Sequence, residues 1–266
     1  MLTQQQITVA ADRLYQAEKE HEQIKALTMS FNMDMDDAYA IQKAWIDRRL
    51  KDGEKIIGYK IGLTSRTMQV AMNINTPDYG VLTDAMLFPN KSKLNAADYL
   101  DPRIESEFAF VMKKRLFGEN VSIEEVMDAT DYVQPALELI SARSRRVDPE
   151  TGYTRNVCDT IADNAANAGI ICGGEKVAPA DIDLKWAGSL LYLNDEIEDS
   201  GMGGAVMGHP AHGIRWVCKR FAPHGIALEP GQVILSGSFT RPVPVKAGDR
   251  VFADYGKSGS IDVDFV

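Results

Sequence analysis

The stretch "DPRIESEFAF" (101–110) places two carboxylates inside an apolar run. The run continues through Val111 and Met112, which is typical of a strand that enters a hydrophobic core. Glu105 and Glu107 are two residues apart, so on a strand their side chains point to the same face, about 7 Å from each other. Two like charges at that separation repel unless a cation lies between them.

The two glutamates have two interpretations that their spacing alone leaves open. In the first, the strand is half exposed, with Ile104, Ser106 and Phe108 facing the core and the glutamates facing water. Against this, the glutamate face continues as Ala109 and Val111, which are expected to be buried. In the second, the carboxylates hold a metal ion, and hard oxygen ligands favour Mg²⁺, Mn²⁺ or Ca²⁺.

A third glutamate and a lysine lie in similar apolar runs. Glu138 is the one charge in "YVQPALELI" (132–140), and Lys60 lies between two glycines in "IIGYKIG" (56–62). Small neighbours such as Gly62 leave room for a ligand to approach the backbone and the ammonium group. A lone glutamate or lysine on a strand is more often paired or exposed, but three isolated glutamates in two apolar strands favour a metal site.

Composition and charge exclude several classes of protein. The chain has 266 residues, of which 45% are hydrophobic and 25% charged, with a net charge of −9 and a pI near 5.0. This acidity argues against a nucleic-acid partner and against binding to an anionic membrane. We find no apolar run of the roughly 18–20 residues that a membrane span needs, and no signal-peptide pattern. Three widely spaced cysteines predict reduced thiols and a cytoplasmic protein.

The periodicity predicts an α+β fold with a helical N-terminal region (1–55) and a β-rich domain (56–266). Strands do not alternate regularly with long helices, so a mixed, rolled-up sheet is favoured over a doubly wound fold or an eightfold barrel. Further elements are expected as follows: a helix at 3–29 capped by Thr3, a helix at 36–51 capped by Asp36 or Asp37, a helix at 159–169 closed by Gly169, a hairpin turning at Asn194 and Asp195, and a helix at 212–222.

Several motifs together resemble the 2-keto-4-pentenoate hydratases of the fumarylacetoacetate hydrolase superfamily. They are "GYKIGLTS" (58–65), "ESE" (105–107), "PALEL" (135–139), "DTIADNAANAG" (159–169) and "LEPGQVILSGSFTRPVPVKAGDRV" (228–251). The resemblance spans nearly the whole chain. It implies a mixed β-roll of the fumarylacetoacetate hydrolase type, a divalent metal that is usually Mg²⁺ with Mn²⁺ as the second choice, and a homo-oligomer that is often a decamer.

The resemblance also implies roles for single residues. Glu105, Glu107 and Glu138 match the metal ligands of the family, and Lys60 matches its active-site lysine. Asp78 matches an acidic residue at the site, and it is identified from the resemblance alone. The third ligand is Glu where many C–C hydrolases of the superfamily have Asp, and no histidine lies in the matching region. This favours a hydratase that adds water at C4 of a 2-hydroxydienoate or its 2-oxo tautomer, in the meta-cleavage catabolism of aromatic compounds such as homoprotocatechuate.

A basic segment directly after the Glu138 strand suggests a substrate with two carboxylates. The sequence "RSRRVDPETGYTRNVCDT" (143–160) is longer and more basic than its counterpart in the hydratases of monoacids. Arginines of this segment could meet the second carboxylate of a small dicarboxylate, and a charged loop at a subunit contact explains the pattern equally well. The arginines are Arg143, Arg145, Arg146 and Arg155. We expect Gly62, Ser238 and Arg145 to contact the substrate.

Two other functions are compatible with the same residues. A decarboxylase acting on 4-oxalocrotonate shares the fold, the metal and the lysine, so the sequence separates it poorly from a hydratase. A non-catalytic subunit that binds or activates a partner enzyme belongs to another class, and it would show no turnover by itself.

Overall fold

A computed structural model of the chain describes residues 1–71 and 74–266. The helices are α1 (Gln4–Glu20), α2 (Met35–Lys51), α3 (Arg66–Ala71), α4 (Ile123–Ala129), α5 (Val157–Ala162) and α6 (Ala211–Phe221). The strands are β1 (Ile56–Gly62), β2 (Asp78–Thr83), β3 (Leu87–Pro89), β4 (Lys93–Leu94), β5 (Arg103–Met112), β6 (Thr130–Ile140), β7 (Asn167–Cys172), β8 (Gly188–Leu193), β9 (Glu196–Met202), β10 (Val233–Leu235), β11 (Val243–Pro244), β12 (Arg250–Asp254) and β13 (Ser260–Phe265). None of the described helices is long and apolar enough to cross a membrane.

The N-terminal helices begin close to where the sequence predicts, but one cap differs. Thr3 caps α1 as expected, and the helix ends early because His21 adopts a left-handed backbone conformation with φ of 52°. The cap of α2 is Asp34, whose carboxylate accepts a hydrogen bond of 2.9 Å from the N–H of Asp37. The prediction of Asp36 or Asp37 as the cap was wrong, because Asp37 lies in the first turn and its carboxylate accepts a hydrogen bond from the N–H of Asp34.

The helix predicted at 159–169 is shorter than expected, and the prediction was wrong for its second half. Helix α5 ends at Ala162, and Asn164, Ala165 and Ala166 follow with left-handed φ values of 51°, 51° and 58°. Asn164 fixes this turn, because its side-chain amide bonds both the N–H (2.8 Å) and the C=O (3.0 Å) of Val81. Gly169 therefore lies in strand β7 and closes no helix.

The predicted hairpin between β8 and β9 is confirmed. Asn194 and Asp195 form its turn with φ values of 53° and 69°. Both residues thus have the left-handed conformation that a two-residue turn of this hand requires, and Asn and Asp tolerate it better than most side chains.

Within the described residues, the strands form two sheets, and both are mixed in direction. The larger sheet has the order β2-β1-β10-β5-β6-β7-β3, with β11 also paired to β5, and the smaller has the order β4-β13-β12-β8-β9. Strand β1 is parallel to β10, whereas β5 is antiparallel to both β10 and β6. The predicted α+β class with a mixed sheet is confirmed.

The larger sheet curls strongly, which brings distant strands together on its inner face. Lys60 on β1 and Glu138 on β6 lie three strand spacings apart, about 14 Å in a flat sheet. Their side chains nevertheless form an ion pair of 3.0 Å between Nζ and Oε1. The sheet must therefore roll up with this face inside, as the predicted β-roll requires.

Alternation along β5 separates two apolar cores. Phe108 and Phe110 belong to the large core, which also contains residues of α1 and α2 such as Leu14 and Trp45. Ala109 points the other way, into a small cluster inside the roll that is formed by Leu82, Ala109, Ala136, Ile170 and Leu235. Helices and sheets share the large core, and the division of the chain at residue 55 stays a prediction.

Candidate active site

Glu105, Glu107 and Glu138 lie together inside the roll, and we call them the glutamate cluster. Glu105 is directly opposite Glu138 in the antiparallel pairing of β5 with β6, and Glu107 follows two residues later on the same face. One carboxylate oxygen from each lies within 4.8 Å of the other two. Glu107 and Glu138 are 1% exposed, while Glu105 is half-buried, so the cluster opens to solvent on the Glu105 side.

The electrostatics of the glutamate cluster fit a bound divalent cation. Burial, followed by repulsion from Glu138, raises the pKa of Glu105 to about 8 and the pKa of Glu107 well above its ordinary value. The protein alone thus disfavours ionised carboxylates at this place. A cation bound among their oxygens would supply the missing positive charge, and an all-oxygen donor set is the one that Mg²⁺ and similar hard ions prefer.

Neighbouring groups hold the carboxylates of the cluster in fixed orientations. The N–H of Gly237 donates to Oε2 of Glu107 at 2.9 Å. The side-chain amide of Asn167 and Nζ of Lys60 both reach Oε1 of Glu138 at 3.0 Å. Such hydrogen bonds from outside a metal site fix its ligands and influence metal affinity.

Sequence reasoning missed Asn167 and Gly237, although both lie in motifs quoted above. Gly237 has φ of 122°, and a Cβ there would lie 2.3 Å from Oγ1 of Thr64, so a side chain would not fit. The sequence did contain a signal for Gly237. A glycine directly after an apolar strand often marks a place where another group approaches the backbone closely. Asn167 gave no such signal, because its position depends on the left-handed turn before β7.

Lys60 is buried beside the cluster and stays charged. Burial opposes its charge, but attraction to Glu138, Asp78 and Glu105 together raises the pKa of Lys60 above its ordinary value. The side chain is 4% exposed. It therefore presents a fixed ammonium group to any ligand that reaches the cluster.

Asp78 lies at the start of β2, opposite Gly62 of β1, and is also fully buried. Burial raises the pKa of Asp78, and attraction to Lys60 lowers it by a smaller amount. The backbone N–H of Gly62 interacts with this carboxylate and lowers its pKa, but among the described residues no hydrogen bond of good geometry reaches either oxygen. A Cβ on Gly62 would lie 2.3 Å from Oδ1 of Asp78 and 3.2 Å from Nζ of Lys60, so only glycine lets these groups approach each other.

The other two predicted substrate contacts, Ser238 and Arg145, bond other groups. The hydroxyl of Ser238 donates to the C=O of Thr240 at 2.7 Å, within the loop that also carries Gly237. The backbone N–H of Arg145 donates to Ile24. In the described part of the chain, the structure records no bond from either side chain to the glutamate cluster, and their contact with substrate stays a prediction.

Arg143 has a structural role and holds backbone and side-chain groups next to the site. Its side chain is 1% exposed, and it bonds the carboxylate of Asp163 as well as the C=O groups of Asp163 (2.8 Å) and Asn167 (3.0 Å). Its guanidinium also lies over the ring of Trp45, 4.9 Å from the centroid. Arg143 thus anchors the turn that carries Asn167 to Glu138.

Known proteins with similar sequences include hydratases that act on 2-oxo acids. No family model matches the chain. The 2-oxo-hept-4-ene-1,7-dioate hydratase of Escherichia coli is 48% identical over 97% of both chains. The 2-keto-4-pentenoate hydratase of Paraburkholderia xenovorans is 34% identical over 99% of this chain and 96% of its own.

Solved structures agree with this relationship, and more distant ones share the fold. The 4-oxalocrotonate decarboxylase of Pseudomonas putida G7, complexed with magnesium and adipate, has a TM-score of 0.94 at 31% identity and covers 100% of this chain and 99% of its own. A fumarylacetoacetate hydrolase family protein from Yersinia pestis, at 14% identity, shares the fold with a TM-score of 0.57 over 78% of this chain and 92% of its own. The predicted fold type of the fumarylacetoacetate hydrolases is thereby confirmed, and the chain belongs to the 2-keto-4-pentenoate hydratase family.

Proposed function

We propose that this chain is a metal-dependent hydratase that adds water at C4 of 2-oxo-hept-4-ene-1,7-dioate and yields 4-hydroxy-2-oxoheptanedioate. The observation that carries the proposal is the buried glutamate cluster with Lys60 and Asp78 beside it, in a chain 48% identical to a hydratase of this substrate. The reaction would belong to the meta-cleavage catabolism of aromatic compounds.

Glu105, Glu107 and Glu138 would hold the metal, which we propose to be Mg²⁺, with Mn²⁺ as an alternative. Their oxygen donors suit either ion, and the decarboxylase of the same fold was solved with magnesium. When bound, such an ion supplies Lewis-acid polarisation of a 2-oxo group.

Lys60 and Asp78 would handle charge and protons at the substrate. The Lys60 ammonium is fixed and charged, so it can stabilise negative charge that develops on the C2 oxygen during tautomerisation. Asp78 is buried and lacks a hydrogen bond of good geometry in the described structure, and its raised pKa suits a group that takes up or returns a proton, or positions the attacking water. Gly62 contributes the space in which these groups meet.

A 4-oxalocrotonate decarboxylase is the second candidate, and the TM-score of 0.94 to such an enzyme favours it. Both reactions place negative charge on the C2 oxygen, so Lys60 and the glutamate cluster suit either. The higher identity to the E. coli hydratase is the reason to prefer hydration.

The quaternary structure and location are also proposals. We propose a homo-oligomer, with a decamer as the expected size, and exposed apolar side chains at Trp186, Ile197 and Met202 support a buried subunit contact. Cys158, Cys172 and Cys218 are free thiols, which supports a cytoplasmic location.

An assay with paired substrates tests the proposed reaction. With Mg²⁺, we expect loss of the diene absorbance of the seven-carbon diacid without release of carbon dioxide, and loss of activity after chelation that added Mg²⁺ restores. Release of one carbon dioxide per 4-oxalocrotonate consumed would make the chain a decarboxylase. Absence of turnover with both substrates would favour a non-catalytic partner subunit.

A further inference from the structure

The glutamate face of β5 continues outward to an arginine. Arg103 precedes Glu105 by two residues, so both side chains leave the same face of the strand. Exposure rises along this face, from 1% at Glu107 through the half-buried Glu105 to 26% for the side chain of Arg103. Arg103 therefore lies on the side where the glutamate cluster opens to solvent.

A second arginine reaches the same place from the basic segment after β6. Nε of Arg146 donates to Oδ2 of Asp101 at 2.5 Å, and Nη2 of Arg103 lies 3.4 Å from both oxygens of that carboxylate. The two guanidinium groups carry two positive charges. The carboxylate of Asp101, which they share, neutralises only one of them. Through Asp101, Arg146 thus lies beside Arg103, which is two residues from Glu105 on β5.

Both guanidinium groups carry an N–H that lacks a partner. Nε of Arg103 and Nη2 of Arg146 are buried, and no acceptor within residues 1–71 and 74–266 bonds either atom. Buried polar groups are hydrogen-bonded in the great majority of proteins, and an unpaired buried donor on a charged group is costly. Two such donors beside one carboxylate indicate that an anion completes the group.

The surrounding charges agree with this interpretation. Burial, then repulsion from Arg146, lowers the pKa of Arg155 to about 10. Arg155 is itself paired, because Nη1 donates to the C=O of Ser144 at 3.2 Å and lies 3.7 Å from Oδ2 of Asp163. An anion bound at Arg146 would relieve the repulsion between these neighbouring cations.

We propose that Arg103 and Arg146 form the subsite that binds the distal carboxylate of the substrate, an inference that rests on the proposed function. The 2-oxo acid end would lie at the deep glutamate cluster, and the chain of the diacid would run outward along the β5 face. Two forked guanidinium groups match the geometry of a carboxylate. Arg143 is occupied by Asp163, so it is not available for this task.

The test replaces each arginine and compares two substrates. For Arg103→Gln and Arg146→Gln, we expect kcat/KM for the seven-carbon diacid to fall by about 10-fold or more, because a charge-assisted hydrogen bond is lost. The value for 2-hydroxypenta-2,4-dienoate, which has no distal carboxylate, should change by less than about 3-fold. Arg115→Gln is the control, since Arg115 is an exposed arginine that pairs with Glu229.

A binding measurement separates this subsite from the proposed reaction. With Mg²⁺ present, calorimetry should show that the wild-type protein prefers adipate over pentanoate, and that both site variants lose the preference. If the wild type turns over neither substrate but keeps the preference, the proposed function is wrong and the subsite stands. Equal losses for both substrates, an unchanged ratio in both variants, or a wild type without preference would each overturn the subsite.

Discussion

Glu107→Gln is expected to lower metal-dependent turnover by more than about 100-fold while the fold survives. Loss of groups that merely orient metal ligands costs about 10–100-fold in affinity or activity, so loss of a ligand charge should cost more. Glu107 is the more deeply buried of the two β5 glutamates in the glutamate cluster. Glutamine has the same size and can still accept the hydrogen bond from the N–H of Gly237. The change therefore removes one charge with little loss of packing.

Mg²⁺ affinity from calorimetry and turnover at saturating Mg²⁺ are the two measurements. Glu229→Gln serves as the control, because Glu229 is an exposed glutamate whose partner is Arg115. Circular dichroism and the melting temperature check the fold. Wild-type affinity for Mg²⁺ together with wild-type turnover in Glu107→Gln would remove Glu107 from the metal site.

Lys60→Ala should lower kcat by about 100- to 1,000-fold, with a small change in KM. Removing one donor that stabilises a developing oxyanion typically has an effect of this size. A loss confined to kcat is the sign of an interaction that is made in the transition state. Steady-state kinetics at saturating Mg²⁺ provide both constants.

The melting temperature of Lys60→Ala should be measured with Mg²⁺, because the lysine is an ion-pair partner of Glu138. A metal ion in the cluster would compensate for the lost ammonium, so we expect the melting temperature to stay close to that of the wild type. A large rise in KM at unchanged kcat would instead make Lys60 a binding charge with equal contacts in the ground and transition states.

The sequence predicted those parts of the site that depend on local strand geometry. Glu105 and Glu107 share a face because they are two residues apart on β5, and the apolar runs around Lys60 and Glu138 identified their strands. Ala109 on the glutamate face is buried, as expected, whereas Val111 is half-buried, so the expected burial of this face is confirmed for Ala109 and only in part for Val111.

Other parts depend on long-range geometry that no local pattern contains. The contact between Lys60 and Glu138 arises from the curl of the sheet, and the same curl buries Asp78, which had no local signal. The arginines of the 143–155 segment were indistinguishable in sequence. Asp163 occupies Arg143, whereas Arg146 shares Asp101 with Arg103, and both aspartates lie outside that segment.

Anomalous diffraction from crystals soaked in Mn²⁺ would show whether the glutamate cluster holds one divalent cation. We expect one strong anomalous peak per chain inside the roll. Oxygens from Glu105, Glu107 and Glu138 should all lie within about 2.0–2.6 Å of it, the range for hard divalent cations with oxygen ligands. A fully soaked crystal with no peak at the cluster, or with a peak bound by other residues, would show that the three glutamates do not form a metal site.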